Sequence, residues 1–456
     1  MKRPDNTSRR CFLKASSMLG LGVAFSSATI GEAFAESRIA GKEDNMTQIS
    51  AAQAGDKTTI RPFQVNVPEA DLTELRRRIN STRWPDRETV TDESQGVPLA
   101  TIQELARYWG TAYDWRKCEA KLNALPQFIT EIDGLDIHFI HVRSKHENAL
   151  PLIVTHGWPG SVIEQLKIID PLTNPTAHGG SASDAFHLVI PSLPGFGFSA
   201  RPTASGWGPE RTASAWIVLM KRLGYAKFVA QGGDLGAGVC TAMAKLAPPE
   251  LLAIHTNFPG IIPSDIAKAL QCGNPPPSGL SADETRVYEQ LAVLFAKRRA
   301  YAQLMGTRPQ TLYGLADSPV GLAAYLFDHP DGYGQPVAAI TSAVLGRTIN
   351  GHPAGDLTRD DVLDDFTLYW LTNTAISAAR FYWEVHFSLY NAAKVSVPAA
   401  VSVFPGENYQ APRSWTEQAY HKLIYYHQVD KGGHFAAWEQ PQLFSGELRE
   451  GFRSLR

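Results

Sequence analysis

The 456-residue chain is short of cysteine, nearly without net charge and, beyond its first 35 residues, without any long apolar run. The four cysteines are Cys11, Cys118, Cys240 and Cys272, at spacings that suit neither a zinc site nor a disulfide framework. A formal charge of −2, with no stripe of Lys and Arg interleaved with aromatics, speaks against nucleic acid as a partner and fits a small neutral molecule better. No segment after the N-terminus is long and apolar enough to span a bilayer. What is present is ample material for a core: 44% of residues are hydrophobic and 10% aromatic, enough for one sizeable domain with an accessory region.

The N-terminus has three parts. Ser8-Arg9-Arg10-Cys11-Phe12-Leu13-Lys14 carries a twin-arginine signature, Ala15 to Ile30 is moderately apolar and rich in Gly and Ser, and Ala33-Phe34-Ala35 offers a small-residue cleavage site. Residues 1–35 are therefore expected to be an export signal, leading to a periplasmic or secreted product with no membrane anchor after cleavage. Its removal leaves 38 basic and 43 acidic residues, a charge of −5. Residues 36–60 are polar and rich in Ala, Gln, Asp and Thr, as in a flexible leader.

From Arg61 the pattern is first helical. Leu72, Leu75 and Ile79 lie at helical spacing, and further helices are expected over Thr101–Trp109 and Asp114–Leu125, forming an N-terminal helical extension over 61–126. Phe128–Asp133 and Leu135–Val142 read as a hairpin. Strands at Leu152–Thr155, Phe186–Pro191 and Lys227–Gln231 then alternate with helices at Ser161–Ile169, Thr212–Leu223 and Gly236–Leu246. That alternation predicts an α/β fold with a mostly parallel central sheet, begun within 127–260. The stretch 261–396 is mostly helical, with Pro- and Gly-rich loops, and reads as an inserted cap. Strands at Ala399–Phe404 and Leu423–Val429 and a last helix from Pro441 resume the sheet domain over 397–456.

Gly232-Gly233-Asp234-Leu235-Gly236 stands between a predicted strand and a predicted helix, with the glycine spacing of a nucleophile elbow and Asp234 in the nucleophile's place. Alone, the pentapeptide fits a helix-capping Asp equally well. The order of the other parts decides: Glu407 follows a predicted strand, and His434 lies in Gly432-Gly433-His434-Phe435 before the last helix. Nucleophile, acid, histidine is the chain order of α/β-hydrolase triads. Asp328, Asp360, Asp361, Asp364 and Asp365 compete for the acid's role but lie in the expected cap.

A carboxylate is already ionised at neutral pH and attacks carbon with no base to assist it. The product is an alkyl ester, and the histidine is free to deprotonate water for the second step, oriented by Glu407. The loop His156-Gly157-Trp158-Pro159-Gly160 can aim a backbone N–H at the developing oxyanion. Trp158 and Leu235 are the expected donors. This chemistry calls for neither metal nor cofactor.

The mature chain resembles the epoxide hydrolase family, specifically its microsomal and juvenile-hormone branch. The resemblance rests on Arg61-Pro62-Phe63 through Arg83-Trp84-Pro85, Asp114-Trp115-Arg116, the His156–Gly160 loop, Pro194-Gly195-Phe196-Gly197-Phe198-Ser199, Gly232-Gly233-Asp234, Asp317-Ser318-Pro319 and Gly432-Gly433-His434-Phe435-Ala436-Ala437. It implies an α/β-hydrolase fold and two cap tyrosines that protonate the epoxide oxygen. By motif these match Tyr301, in Arg299-Ala300-Tyr301-Ala302-Gln303, and Tyr382, in Arg380-Phe381-Tyr382.

Two departures stand out: Leu235 occupies a position where relatives often carry Trp, and a cleavable export signal replaces the membrane-anchoring helix of the anchored relatives. Two alternatives stay open. A haloalkane dehalogenase would use the same Asp and His, although Leu235 removes the expected halide donor. A non-enzymatic binding module would usually have lost one of the two. The expected substrate is a small lipophilic epoxide, and a homo-oligomer is compatible with everything above.

Overall fold

The computed structural model describes residues 57–92, 94–328, 339–345, 355–385 and 394–456. The expected export signal, nearly all of the expected leader and parts of the expected cap lie outside these residues.

Among the described residues nine strands form a single sheet in the order β1-β2-β3-β5-β4-β6-β7-β8-β9. They are β1 (Arg61–Phe63), β2 (Gln127–Ile132), β3 (Leu135–Val142), β4 (Leu150–Thr155), β5 (Phe186–Pro191), β6 (Phe228–Gly232), β7 (Leu251–Thr256), β8 (Ala399–Val403) and β9 (Leu423–Gln428). β1, β2, β3 and β5 pair antiparallel, and every pairing from β5 through β4 to β9 is parallel. The parallel strands are covered on both faces, so they read as near-continuous buried runs: Leu152, Ile153 and Val154 in β4 and Phe228, Val229 and Ala230 in β6 are all fully buried.

Two strands escape the sequence reading. β1 is three residues long and contains Pro62, which fits because proline is tolerated at a sheet edge. β7, Leu-Leu-Ala-Ile-His-Thr, begins directly after Pro248-Pro249-Glu250, and its sixfold apolar-to-polar run has no alternation to announce it. The stretch expected as a helix after Ser161 is a 3₁₀ turn over Val162–Ile168 followed by a short α-helix, Ile169–Thr173.

The N-terminal segment is bound to the sheet from Lys57, whose carbonyl accepts the Glu131 N–H at 2.9 Å. Helix Glu69–Asn80 buries Leu72, Leu75 and Ile79, helix Leu99–Thr111 buries Leu105 and Trp109, and helix Trp115–Asn123 is capped by the Asp114 side chain on the Arg116 N–H. Full burial of one such Leu is worth about 1.5–3 kcal/mol. Asn123 holds the extended chain before the first helix with two bonds of 2.8 Å, one to each backbone group of Val65.

Between β7 and β8 the described elements are all helical. The long helix Arg359–Thr372 is the keystone of this region. It begins with a capping box between Thr358 and Asp361. The acidic residues along it are used structurally: Tyr108 donates to Asp360 at 2.7 Å, Lys167 pairs with Asp361 at 2.8 Å, Tyr113 donates to Asp364 at 2.8 Å and Ser161 donates to Asp365 at 2.5 Å. Trp109 adds a buried indole N–H bond to Thr367 at 2.9 Å. The helices before the sheet therefore hold the helices inserted into it.

Burial pushes the Asp364 carboxyl up to about 6, a rise that the Tyr113 hydroxyl and Lys121 oppose. Tyr113→Phe removes that donor from a carboxylate with almost no access to water. The expected loss is about 1–3 kcal/mol of stability, read as a lower urea midpoint with an unchanged slope. An unchanged midpoint would show that Asp364 has no structural role.

Candidate active site

The strands β4, β6 and β8 and the loop before the last helices all end at one edge of the sheet, and the expected reactive residues meet there. Asp234 follows β6 after Gly233 and is the first residue of helix Asp234–Leu246. Its φ is +45°, a conformation rare for residues with a side chain and associated with sharply turned functional positions. The turn is possible because the chain around it lacks side chains: a Cβ on Gly236 would run into the Thr155 carbonyl at the end of β4.

The loop after β4 closes over Asp234. The Trp158 N–H donates to Asp234 Oδ1 at 3.0 Å. A Cβ on Gly157 would collide with the Asp234 side chain itself, so glycine there is what lets the loop come this close. His156 fixes the loop's path. Its Nδ1 bonds the Gly157 carbonyl at 3.0 Å, and its Nε2 accepts the Leu193 N–H at 3.1 Å. Burial pushes this imidazole down to about 4, which keeps it neutral, with the proton on Nδ1 as those two bonds require. From above, the Tyr369 hydroxyl donates to the Gly160 carbonyl at 2.9 Å.

His434 is brought in by a second pair of loops. Gly406, after β8, and Gly433 form a parallel bridge, and the Gly406 N–H donates to the Gly432 carbonyl at 2.9 Å. This zips the Glu407 loop to the His434 loop. His434 Nδ1 lies 2.7 Å from Glu407 Oε1, and Nε2 lies 3.5 Å from Asp234 Oδ2. All three residues are buried. Burial by itself would lower the His434 pKa, but the Glu407 and Asp234 carboxylates and their hydrogen bonds outweigh it and raise it well above the ordinary value. Phe258 and Phe435 pack edge-on against the ring, with centroids at 5.6 and 4.9 Å.

Both tyrosines picked out in the sequence reach this place. Tyr301, in helix Ala300–Thr307, stacks on the Trp158 indole with centroids 4.9 Å apart and planes 13° from parallel. Tyr382, in helix Ala375–Val385, meets both rings edge-on at 6.0 Å. Leu235, next to Asp234 in the helix's first turn, is fully buried. The structure thus gathers Asp234, His434, Glu407, Trp158, Leu235, Tyr301 and Tyr382 around one point.

It also adds residues that sequence reasoning passed over. Tyr325 packs edge-on against Trp158 at 5.9 Å and donates its hydroxyl to the Tyr301 carbonyl at 3.2 Å. Glu439 accepts the Phe435 N–H at 3.0 Å, and burial raises its pKa. A glutamate directly after the apolar Phe435-Ala436-Ala437-Trp438 was the available signal. Glu164, four residues beyond Gly160, is buried close to the site, yet in sequence it looks like an ordinary polar residue of a surface helix. Among the described residues no group of His, Cys, Asp and Glu could hold a metal ion, and no helix is long and apolar enough to cross a membrane.

Comparison with known proteins agrees with this geometry. The family model described as "Epoxide hydrolase N terminus" matches residues 60–165, and the one described as "alpha/beta hydrolase fold" matches residues 151–274. A protein of Stigmatella aurantiaca, provisionally named an epoxide hydrolase, is 53% identical, with 87% of this chain and 86% of that protein aligned. Epoxide hydrolase 1 of Sus scrofa is 33% identical over 88% of this chain and 90% of its own length. The chain belongs to the epoxide hydrolase family. It has the α/β-hydrolase fold, and the crystal structure of juvenile hormone epoxide hydrolase from Bombyx mori superposes with a TM-score of 0.74 at 29% identity, covering 87% of this chain and 96% of that one.

Two results are expected of this epoxide hydrolase. Gly157→Ala, which forces the Asp234 side chain aside, should lower turnover of styrene oxide by about 10²-fold while leaving the circular dichroism spectrum intact; retention of full activity would show that the close approach is dispensable. Asp234→Asn removes a negative charge that favours the imidazolium, so the His434 pKa should fall. Imidazole proton NMR across a pH series would show it, and a pKa that stays put or rises would contradict the assignment of Asp234 as a source of the elevation.

Proposed function

We propose that this enzyme opens epoxides in two steps, through an alkyl ester on Asp234 that His434 and water then cleave. The observation that carries the reading is the double attachment of the Asp234 carboxylate. Oδ1 is held by the Trp158 N–H, and Oδ2 is turned toward the imidazole of a His434–Glu407 pair.

In the first step Oδ2 bonds to an epoxide carbon and the C–O bond of the strained ring breaks. The electron pair goes to the epoxide oxygen, which takes a proton from Tyr301 or Tyr382. A phenol suits this task because it donates a proton to a nascent alkoxide without placing a charge beside the attacking carboxylate. The packing of both rings on Trp158, whose own N–H touches the nucleophile, supports their assignment.

In the second step His434 Nε2 removes a proton from water, and the hydroxide adds to Cγ of Asp234. Oδ1 becomes the oxyanion, stabilised by the Trp158 N–H with the Leu235 N–H as its second donor. Collapse breaks the Cγ–O bond to the alkyl group, which leaves with the proton held on His434 as a vicinal diol. The elevated His434 pKa gives the two steps their order. While Asp234 is a free carboxylate it favours the imidazolium; once it is esterified that charge is gone, the imidazole's pKa falls, its proton restores the hydroxyl of the tyrosine that protonated the epoxide oxygen, and the ring becomes a competent base. Glu407, 2.7 Å from Nδ1, keeps the proton of the neutral ring there.

The substrate is a small lipophilic epoxide. The aromatic group of Trp158, Tyr301, Tyr325 and Tyr382 offers flat apolar faces, three of them on hydroxyl-bearing rings. The named relatives favour epoxides over haloalkanes, although a dehalogenase would share the Asp–His pair.

The test is incubation of the purified protein with styrene oxide and, separately, with 1-chlorobutane. Diol from the first and no chloride from the second are expected. Asp234→Asn and Asp234→Ala should abolish diol formation, and His434→Gln should stop after the first step and leave a protein adduct of the epoxide's mass. Diol formation that survives loss of Asp234 would overturn the two-step reading.

A further inference from the structure

A small cavity is bordered by Asp234 and His434 and by Glu164, Gln165, Gln231 and Asn257. The space open to the centre of a water is about 20 Å³, room for about one ordered molecule. Its lining is mixed, with Phe435, Ala437, Trp438 and Phe444 beside the polar groups. Glu164, Gln165, Gln231 and Asn257 are all more than nine-tenths buried.

The hydrogen bonds of these four side chains do not close on themselves. Gln165 donates to Glu164 Oε1 at 2.6 Å, and Gln231 donates to Asn257 Oδ1 at 3.0 Å. Glu164 Oε2, Gln165 Oε1 and Gln231 Oε1 have no hydrogen-bond partner among the described residues. Buried polar atoms are normally paired, by ordered water where no protein group can reach. Glu164, Gln165 and Gln231 all border this water-sized cavity, and a water that gives one O–H to His434 keeps its second O–H and a lone pair for side chains of this group. The room for Glu164 is itself built in, since a Cβ on Gly160 would overlap its Oε2.

We propose that this cavity is the station of the hydrolytic water, held by Glu164 and Gln231 against His434 and Cγ of Asp234, with Glu164 as its main positioning residue and Gln165 steadying Glu164 through its amide. The inference rests on the two-step reading above, since it assigns residues to the second step alone. The lone pair of this water forms the new bond to Cγ, one of its protons passes to His434 Nε2, and the other stays with the oxygen in the carboxyl group that Asp234 regains. Burial, together with the nearby Asp365 carboxyl, raises the Glu164 pKa well above the ordinary carboxylate range. Burial thus favours the uncharged form of Glu164, whose O–H can hydrogen-bond a water.

Single-turnover kinetics with styrene oxide separate the two steps: ester formation is read by acid quench and intact-protein mass, and ester loss by its decay. In Glu164→Leu and in Gln231→Leu the decay should slow by roughly 10- to 100-fold and the adduct should accumulate, with ester formation near the wild-type rate. Glu164→Gln, which keeps the shape and a donor, should restore most of the decay rate. Because Gln231 lies in β6 and Glu164 in a separate turn, the Gln231 variant decides the matter if Glu164→Leu does not fold. Decay unaltered in a folded variant, or both steps slowed in parallel, would overturn the proposal alone. Absence of any adduct in His434→Gln would overturn the ester reading, and this proposal with it.

Discussion

The bond from the Trp158 N–H to Asp234 Oδ1 is the contact on which the surrounding architecture converges. To make it, β4 and β6 must lie side by side, both loops must run almost without side chains at their closest points, and Asp234 must accept a left-handed φ. The parallel core supplies the first condition, and Gly157 and Gly236 supply the second. The neutral His156, bonded fore and aft, holds the loop in the one path that reaches. Every other component of the site is placed relative to this fixed carboxylate: His434 by the bridge between Gly406 and Gly433, and the tyrosines by the indole carried on the same loop.

The buried charges form a graded set around that contact. Glu407 and Asp234 flank His434 and favour its charged form, whereas burial outweighs the pull of His434 on Glu164 and raises its pKa, and burial pushes Asp365 up to about 8. Carboxylates crowded around one imidazole repel each other, and burial acts on Glu164 and Asp365 in the direction that relieves it.

How much of this was legible in the sequence depended on whether a residue's role was local. Asp234, Glu407 and His434 each sit just past a strand in a glycine-marked turn, and their order along the chain survives folding, so all three could be named. The elements β2, β3, β5 and the helix from Pro441 also carry their signals locally. Tyr301 and Tyr382 could not be singled out among 15 tyrosines on pattern alone, because what distinguishes them is contact with an indole more than 140 residues away; family resemblance supplied what periodicity could not. Glu164 was illegible for the same reason. Its burial is settled by a helix some 200 residues later, whose Asp365 it approaches, and nothing in the turn after Gly160 foretells that. β7 was lost to a different cause, since a short apolar run without alternation leaves strand and helix undecided.

Because the donor to Asp234 Oδ1 is main-chain, no substitution at position 158 other than proline can delete it. The indole answers to a separate constraint, the packing of Tyr301 and Tyr382 against it. The spacing is another matter: Thr155 ends β4, Gly160 is tied to Tyr369, and four residues bridge the gap. The contact with Asp234 Oδ1 thus depends on chain length as well as on the glycine that lets the loop close. A single deletion within these four residues would withdraw the amide whatever side chains they carried.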